Sequence, residues 1–387
     1  MTVGWDADPV VASWAGLPSL DGDRTVDACV VGLGGSGLAA VSALLERGLS
    51  VVGVDAGRIA AGAAGRNGGF LLGGPALFLH DAVARWGEDA AVGLYRATLH
   101  ELDVLADALG PELVRRVGSI RLAGLPGEPE SDAEAAERER EVTDCTAHED
   151  ALRAHGIAVE RYDGPLGRGI FLPDDAAMNP ARRALGLATL LARHDRAELY
   201  EHTPVTRVES GRVVTAHGTV HARTVIVAVD GRLELVLPQL AGRVRTARLQ
   251  MLATEPVAPG RLPCPVYGRW GYDYGQQDAS GRLFVGGGRD KFVDDEWTAD
   301  TQATTDVQAY IEQVAARMAG SPVRVTHRWA ASVGFTPDGR PLCARVDDGV
   351  IAIGGYNGTG NLVGPVAARA AVALALDGTA PPPYFSL

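Results

Sequence analysis

The stretch VDACVVGLGGSGLAAVSALLERGLSVVGVDAG, residues 26–57, leaves the chain few ways to fold. A short apolar run is followed by a glycine turn, a helical pattern and a second apolar run ending in Asp55, which predicts a βαβ unit. Gly32, Gly34 and Gly37 supply GxGxxG between a strand over 28–31 and a helix over 36–47. An acid at the end of the next strand completes a dinucleotide fingerprint. Gly32 makes the tight turn, Gly34 lets backbone approach a pyrophosphate, and Gly37 lets helix and strand pack closely. The helix start, with Ser36, offers unpaired N–H groups and a positive dipole end to phosphates. Asp55, followed by Ala56, is placed to accept hydrogen bonds from adenosine ribose hydroxyls, which favours FAD or NAD over NADP.

Composition narrows the partners. The net charge of −12 over 387 residues argues against nucleic acid or an anionic membrane. Of 36 lysines and arginines only Lys291 is a lysine, so Schiff-base chemistry has one candidate, and there is no GxxxxGK[ST] loop. Cys29, Cys145, Cys264 and Cys343 have no CxxC spacing and no histidine cluster beside them, so no metal site is expected. They read as free thiols of a reducing compartment. With no signal-peptide pattern and no long apolar run, the expectation is a cytoplasmic globular protein without a membrane span.

The order of elements is α/β, then helices, α/β again, antiparallel sheet, and α/β. Residues 81–109 carry helical periodicity, and 131–155 form a charge-rich helix read as a solvated face. Residues 243–290 read as long strands with a turn at 279–281, and a helix is expected near 301–318. The economical reading is an α/β fold in which an FAD-binding, Rossmann-like domain is interleaved with a second domain of antiparallel sheet and helices. The expected boundaries are 25–88, 172–232 and 325–387 for the first and 89–171 and 233–324 for the second. Residues 1–24 are expected to lie over the surface as an extension.

A second glycine cluster, GAAGRNGGF over residues 62–70, separates FAD from NAD. A nicotinamide enzyme needs nothing glycine-rich here, whereas a flavin enzyme must thread its chain past a flat three-ring system. Gly65, Gly68 and Gly69 permit that approach, and Arg66 and Asn67 can hydrogen-bond pyrophosphate or flavin; a surface Ω-loop is the alternative. In the tail, VIAIGG is a buried strand, YNGTGN a turn carrying Gly358 and Thr359, and LVGPVAARAAVALAL a helix. The N–H groups of Gly360, Asn361 and Leu362 at its start would stabilise negative charge on a reduced flavin.

These segments together resemble the FAD-dependent oxidoreductases of the D-amino-acid oxidase superfamily, nearest the glycine, sarcosine and γ-glutamylputrescine oxidase-like branch. The resemblance covers nearly the whole chain. It implies that Val205 contacts adenine through its backbone and that Ala228 and Gly231 lie near the cofactor. It also implies that the segments holding Trp329 and Tyr356 close over the flavin. Three departures stand out. Thr359 occupies a place where histidine is common, and no cysteine precedes TPDG, so FAD is expected to be non-covalent. Phe284 stands where sarcosine oxidases use a lysine to promote reaction with oxygen.

The resemblance implies an oxidase of a primary or secondary amine, an amino acid or a polyamine-like molecule. Hydride passes to flavin N5, giving an imine and hydrogen peroxide. A flavin dehydrogenase of an amine or 2-hydroxy acid, using an acceptor other than oxygen, and a non-catalytic Rossmann-type binding protein are the alternatives. The partners are therefore a small-molecule amine and oxygen or another electron acceptor. An aromatic pocket that desolvates the amine would keep it neutral without a dedicated base. By strand alternation Trp270, Tyr272 and Tyr274 share a face, as an aromatic wall or as ordinary sheet packing. Arg289 is either a fork for a substrate carboxylate or a surface arginine.

Overall fold

The computed structural model describes residues 3–386. The Arg24–Val31 strand lies at the centre of an eight-stranded sheet, parallel to Val51–Val54 on one side and Thr219–Val227 on the other. Ala197–Tyr200 extends the sheet beyond Val51–Val54, and Val350–Gly354 then Leu342–Asp347 extend it beyond Thr219–Val227. Val205–Glu209 and Arg212–Thr215 fold back antiparallel on the Thr219–Val227 strand. Strands with apolar residues on both faces need cover on both, and the Gly35–Glu46 and Gly360–Asp377 helices supply one side. A Cβ at Gly37 would overlap the Gly32 carbonyl oxygen, so the third glycine sets how closely the first helix sits on its strand.

The second sheet also has eight strands, in the order Val325–Phe335, Arg245–Pro256, Arg282–Gly286, Asp273–Gln277, Val266–Gly268, Ser119–Leu122, Gly167–Leu172 and Glu160–Gly164. Only the Val266–Gly268 and Ser119–Leu122 pair is parallel. The Thr305–Ala319 helix packs on its outer face, ended by Gly320 in the left-handed conformation. Val325–Phe335 departs from the expected partition: it pairs along almost the whole of Arg245–Pro256, so backbone hydrogen bonding ties it to the second sheet.

Local readings fail where side chains override pattern. The 81–109 periodicity is two helices, Leu79–Trp86 and Glu88–Leu109, because Gly87 at φ +86° breaks the chain between them. The Asp132–Ala154 helix is not simply solvated. Glu141 is buried in it and accepts the backbone N–H groups of Gly124 at 2.6 Å and Trp270 at 2.5 Å. The strand expected from Trp270 onward begins only at Asp273, since Arg269 and Trp270 both adopt positive φ. Arg269 is drawn into that turn by ion pairs with Asp273 and Asp290.

The N-terminal residues are the largest departure. They enter the core instead of lying over it. Trp5 is 3% exposed, stacks on Phe284 with ring centroids 3.4 Å apart, and donates its indole N–H to Asn67 O at 2.9 Å. Further along, Glu201 accepts Trp14 Nε1–H at 3.0 Å, Leu17 N–H at 2.8 Å and Ile59 N–H at 2.6 Å. The segment is a strap, held at one end by the second sheet and at the other by the cofactor-type sheet. Among the described residues no helix is long and apolar enough to cross a membrane.

Burial of a whole indole gives the strap measurable weight. Trp5→Ala should lower unfolding free energy by roughly 3–5 kcal/mol in a denaturant titration. Trp5→Phe, which keeps a ring on Phe284 and loses only the N–H donor, should cost about 0.5–1.5 kcal/mol. Equal and negligible losses would show that the strap does not contribute to the fold.

Candidate functional site

The fingerprint forms the narrow end of the site. Asp55 accepts Leu33 N–H at 2.8 Å and Gly57 N–H at 2.9 Å, which fixes its carboxylate beside the glycine turn. Burial pushes its proton affinity up, against those two hydrogen bonds. Ala56 is exposed beside it, and Val205 begins the strand opposite Thr215. Ala228 N–H bonds Val31 O at 2.8 Å, closing the strand ends over Gly32. Ser36 is buried against Gly364 of the last helix. Gly34 caps the first helix, and a Cβ there would meet only the Ala64 side chain, at 3.4 Å. That open position, at a helix start with unpaired N–H groups, fits a pyrophosphate. It also places the fingerprint directly beside the second glycine cluster.

Residues 63–70 comprise one helical turn, Ala63–Arg66, and an exit that runs through extended Asn67 and left-handed Gly69, at φ +74°, into the short Phe70–Leu71 strand. Three side chains hold three consecutive carbonyls. Trp329 Nε1–H donates to Arg66 O at 2.8 Å, Trp5 Nε1–H to Asn67 O at 2.9 Å, and Gln276 Nε2–H to Gly68 O. Asn67 and Asn361 pair amide to amide at 3.0 and 3.2 Å, and Asn361 Nδ2–H also reaches Phe70 O at 2.8 Å. The Asn67 amide, expected to face the cofactor, is therefore engaged by the protein, while the expectation for Asn361 concerns its backbone N–H. Gly65 and Gly69 also have a reason other than the expected one: a Cβ would overlap the carbonyl oxygens of Ala60 and Met178 respectively. Gly68 differs, with only the Tyr274 and Phe70 rings in the way, at 3.3 and 3.4 Å. Arg66 gives one bond to Ala330 O at 3.2 Å, leaves Nε without a partner, and keeps donors toward the cavity.

The last helix supplies the opposite wall. Pro365 has no N–H to return to Asn361 O, and Arg183 Nη2–H takes that carbonyl at 2.9 Å. Arg183 is buried, and burial lowers its pKa to about 10. Its Nη1 would lie 2.7 Å from a Cβ at Gly35, so this arginine packs the two helix starts together. Gly358, Thr359, Asn361 and Leu362 line the cavity, and a Cβ at Gly358 would meet nothing within 4 Å. Gly360 packs on the Tyr356 ring instead. Gly231 lies against the backbone of Ser332, and the neighbouring Asp230 accepts Tyr356 N–H and Gly334 N–H at 3.1 and 3.2 Å.

Between these walls lies a cavity of about 640 Å³. Its roof comes from one register row of the second sheet, in which Trp329, Met251, Gly286, Tyr274, Tyr267 and Arg121 are paired on successive strands and Met251, Tyr274, Tyr267 and Arg121 line the cavity. Residues paired in register share a face, so the sheet fixes their order. Gly286 is small because the Tyr274 ring occupies the place of its side chain. Phe70 meets Tyr267 and Tyr274 edge-on, with centroids at 5.1 and 5.8 Å. Burial keeps both phenols protonated, pushing Tyr267 up to about 12.

Of the residues expected to act on substrate, Tyr272, Tyr274 and Arg289 line the cavity. Tyr272 arrives through the turn and not by alternation, and is 42% exposed at the mouth. The Arg289 guanidinium lies 4.0 Å from the Phe335 ring centroid and 4.4 Å from that of Trp297. Trp329 and Tyr356 do not reach the wall: one holds the loop and the other packs the last helix turn. Sequence reasoning missed Trp5, Phe70, Arg121, Arg183, Tyr267 and Gln276. Pro365, which frees a carbonyl in the first helical turns, is the signal that could have pointed to Arg183. Among the described residues no group of three or more His, Cys, Asp and Glu side chains could hold a metal ion.

Comparison with known proteins agrees with this fold. The chain is 28% identical to a "Probable oxidoreductase OrdL" of Rhizobium meliloti, over 93% of this chain and 85% of that one. It is 27% identical to the Gamma-glutamylputrescine oxidoreductase of Escherichia coli, over 90% and 83%. Glycine oxidase from Geobacillus kaustophilus shares the fold with a TM-score of 0.70 at 20% identity, covering 92% of this chain and 95% of that one. L-proline dehydrogenase from P. horikoshii does so with 0.72 at 16%, covering 94% and 96%. The FAD-dependent oxidoreductase (DAO) family model matches residues 27–374, and with a fingerprint, a clamped glycine loop and an open cradle between them, the chain belongs to that family of flavoenzymes.

Proposed function

We propose that the chain is an oxidase of a primary or secondary amine, carrying FAD non-covalently and acting in the cytoplasm. The observation that carries this reading is the cavity wall, where Phe70, Tyr267 and Tyr274 press edge to face beside the clamped loop. FAD, when bound, would supply a two-electron acceptor for the hydride on the carbon beside nitrogen; the imine product would take up water to give a carbonyl and release ammonia or an amine, and oxygen would take the electrons as hydrogen peroxide. The chain's own residues prepare the amine. An ammonium entering this wall loses water and finds no carboxylate among the three tyrosine and phenylalanine rings, so its pKa falls and the neutral amine is favoured. Gly32, Gly34, Asp55 and Val205 would hold the adenosine and pyrophosphate. Arg66, the Gly68 backbone and the N–H groups of Gly360, Asn361 and Leu362 would hold the flavin end. A relative described as a γ-glutamylputrescine oxidoreductase supports an amine donor. The four cysteines are all buried free thiols, in keeping with a reducing compartment and with no thiol presented to the cavity.

One observation favours a second reading, a dehydrogenase with an acceptor other than oxygen. Phe284 is 2% exposed under the Trp5 ring, so no cation stands at the position where the family resemblance leads one to expect the oxygen-promoting lysine.

Two measurements test these readings. The purified protein should be yellow, acid precipitation should leave all FAD in the supernatant, and anaerobic addition of a suitable amine should bleach it. Peroxide formation in air separates the oxidase from a dehydrogenase that reduces only an artificial acceptor; failure of every amine to bleach the flavin would sink the oxidase, and failure of every 2-hydroxy acid as well would sink the dehydrogenase. Gly34→Val should purify without flavin yet keep its circular dichroism, because the added methyls enter open space. Full flavin content in that variant would place the phosphate site elsewhere.

A further inference from the structure

Arg121 is the buried cation that the reading above does not use. It sits mid-strand in Ser119–Leu122, is 8% exposed, and lines the cavity beside the two tyrosines of the roof. Its guanidinium lies 5.3 Å from the Phe78 ring centroid and 5.9 Å from that of Tyr267. Ring faces attract a cation but leave its N–H donors unmet. Nε is buried without a partner, and among the described residues no carboxylate forms an ion pair with this arginine. Asp175, the nearby carboxylate, accepts Ser119 Oγ–H at 2.6 Å and Gly73 N–H at 2.8 Å and makes no ion pair with the guanidinium. A guanidinium kept dry and unpaired is costly unless an anion meets it in the working state.

The other charges of the cavity point the same way. Arg66, Arg85 and Arg289 line it with Arg121, while of the two lining carboxylates Asp338 is paired to Arg340 at 2.7 Å and Asp81 lies 3.8 Å from the His80 ring nitrogen. Four guanidiniums repel a polyamine dication. They suit a molecule with one amine and one carboxylate. Position in the sheet sets the separation. Arg121 and Tyr274 lie two strands apart in the same register row, with Tyr267 between them. Neighbouring strands are just under 5 Å apart, so the two backbones stand about 10 Å apart. The side chains keep that order, with the guanidinium 5.9 Å from the Tyr267 ring centroid and that ring 5.8 Å from the ring of Tyr274, which faces Gly68.

We propose that Arg121 is a substrate-binding residue that receives the carboxylate of an elongated amine, several bonds from the carbon that is oxidised. This rests on the amine reading given above and specifies its substrate class. A planar fork binding both oxygens of a carboxylate gives direction as well as affinity. A short α-amino acid, whose carboxylate sits on the reacting carbon, cannot occupy the loop side of Tyr274 and reach Arg121 together.

The test separates binding from turnover. Hexanoate has the carboxylate and no amine, so it binds without reacting; its affinity for the FAD-loaded protein is read by calorimetry. The dissociation constant should rise by about ten-fold or more in Arg121→Met, with Arg121→Lys between the two, flavin content and circular dichroism unchanged. In anaerobic bleaching, 6-aminohexanoate should react at least about ten-fold more efficiently than hexylamine in the parent, and Arg121→Met should erase that preference. Hexanoate that does not bind the parent, or binds both proteins alike, overturns the proposal. So does bleaching by both amines with no preference in the parent, an outcome that leaves the amine reading intact. Arg121-dependent binding of hexanoate, with no amine able to bleach the flavin, would instead keep the carboxylate site and remove the amine reading.

Discussion

Everything at the wide end of the site depends on three consecutive carbonyls being held from outside. A segment as glycine-rich as residues 62–70 has little side-chain surface with which to pack itself, and its backbone entropy favours disorder. Trp329, Trp5 and Gln276 each spend a buried N–H on one of the carbonyls of Arg66, Asn67 and Gly68. The Asn67–Asn361 amide pair then ties the same loop to the start of the last helix. Because the donors come from the strap and the second sheet while the acceptors belong to the cofactor half, the clamp is also a joint between the two sheets. A loose loop would cost both the cradle and the alignment of the roof above it.

The roof shows how a sheet can arrange a site without loops. One register row brings together side chains from five strands and, through the Ser119–Leu122 strand, a residue far earlier in the chain. The row contains a glycine where the largest neighbouring ring needs room, and a cation at the end away from the clamped loop. A change of register in any one strand would turn its member of the row to the opposite face, which couples the identity of the site to the pairing of the whole sheet. Catalytic geometry on such a surface is inherited from the fold.

Sequence reading reached what depends on short-range pattern. The βαβ unit, Asp55, the glycine cluster and the final strand–turn–helix are each encoded within a few tens of residues, and the structure brings them together. It failed where a distant partner decides. Alternation from Trp270 is broken by Arg269, whose ion partners Asp273 and Asp290 outweigh strand propensity. The Asn67 side chain has the right chemistry for a cofactor but pairs with the Asn361 amide across 294 positions. Arg121 carries no local motif: its meaning comes from lying beside Tyr267 in a parallel pairing that no periodicity announces. The N-terminal segment was misread for the same reason, since the burial of Trp5 is written in Phe284 and not in its own neighbours.

The strap has a consequence for the order in which the molecule is assembled. Trp5 is made well before its stacking partner Phe284 and its neighbour Trp329, which lie far later in the chain. Contacts so distant in sequence are slow to form, because loop closure must precede any reward. Until then the glycine loop lacks one of its three donors and the junction between the sheets stays open. The docking of the strap then becomes the step that closes the joint between the sheets. Conditions that delay it, such as a bulky group fused before Val3, would act on how fast that joint forms, leaving its final contacts as they are.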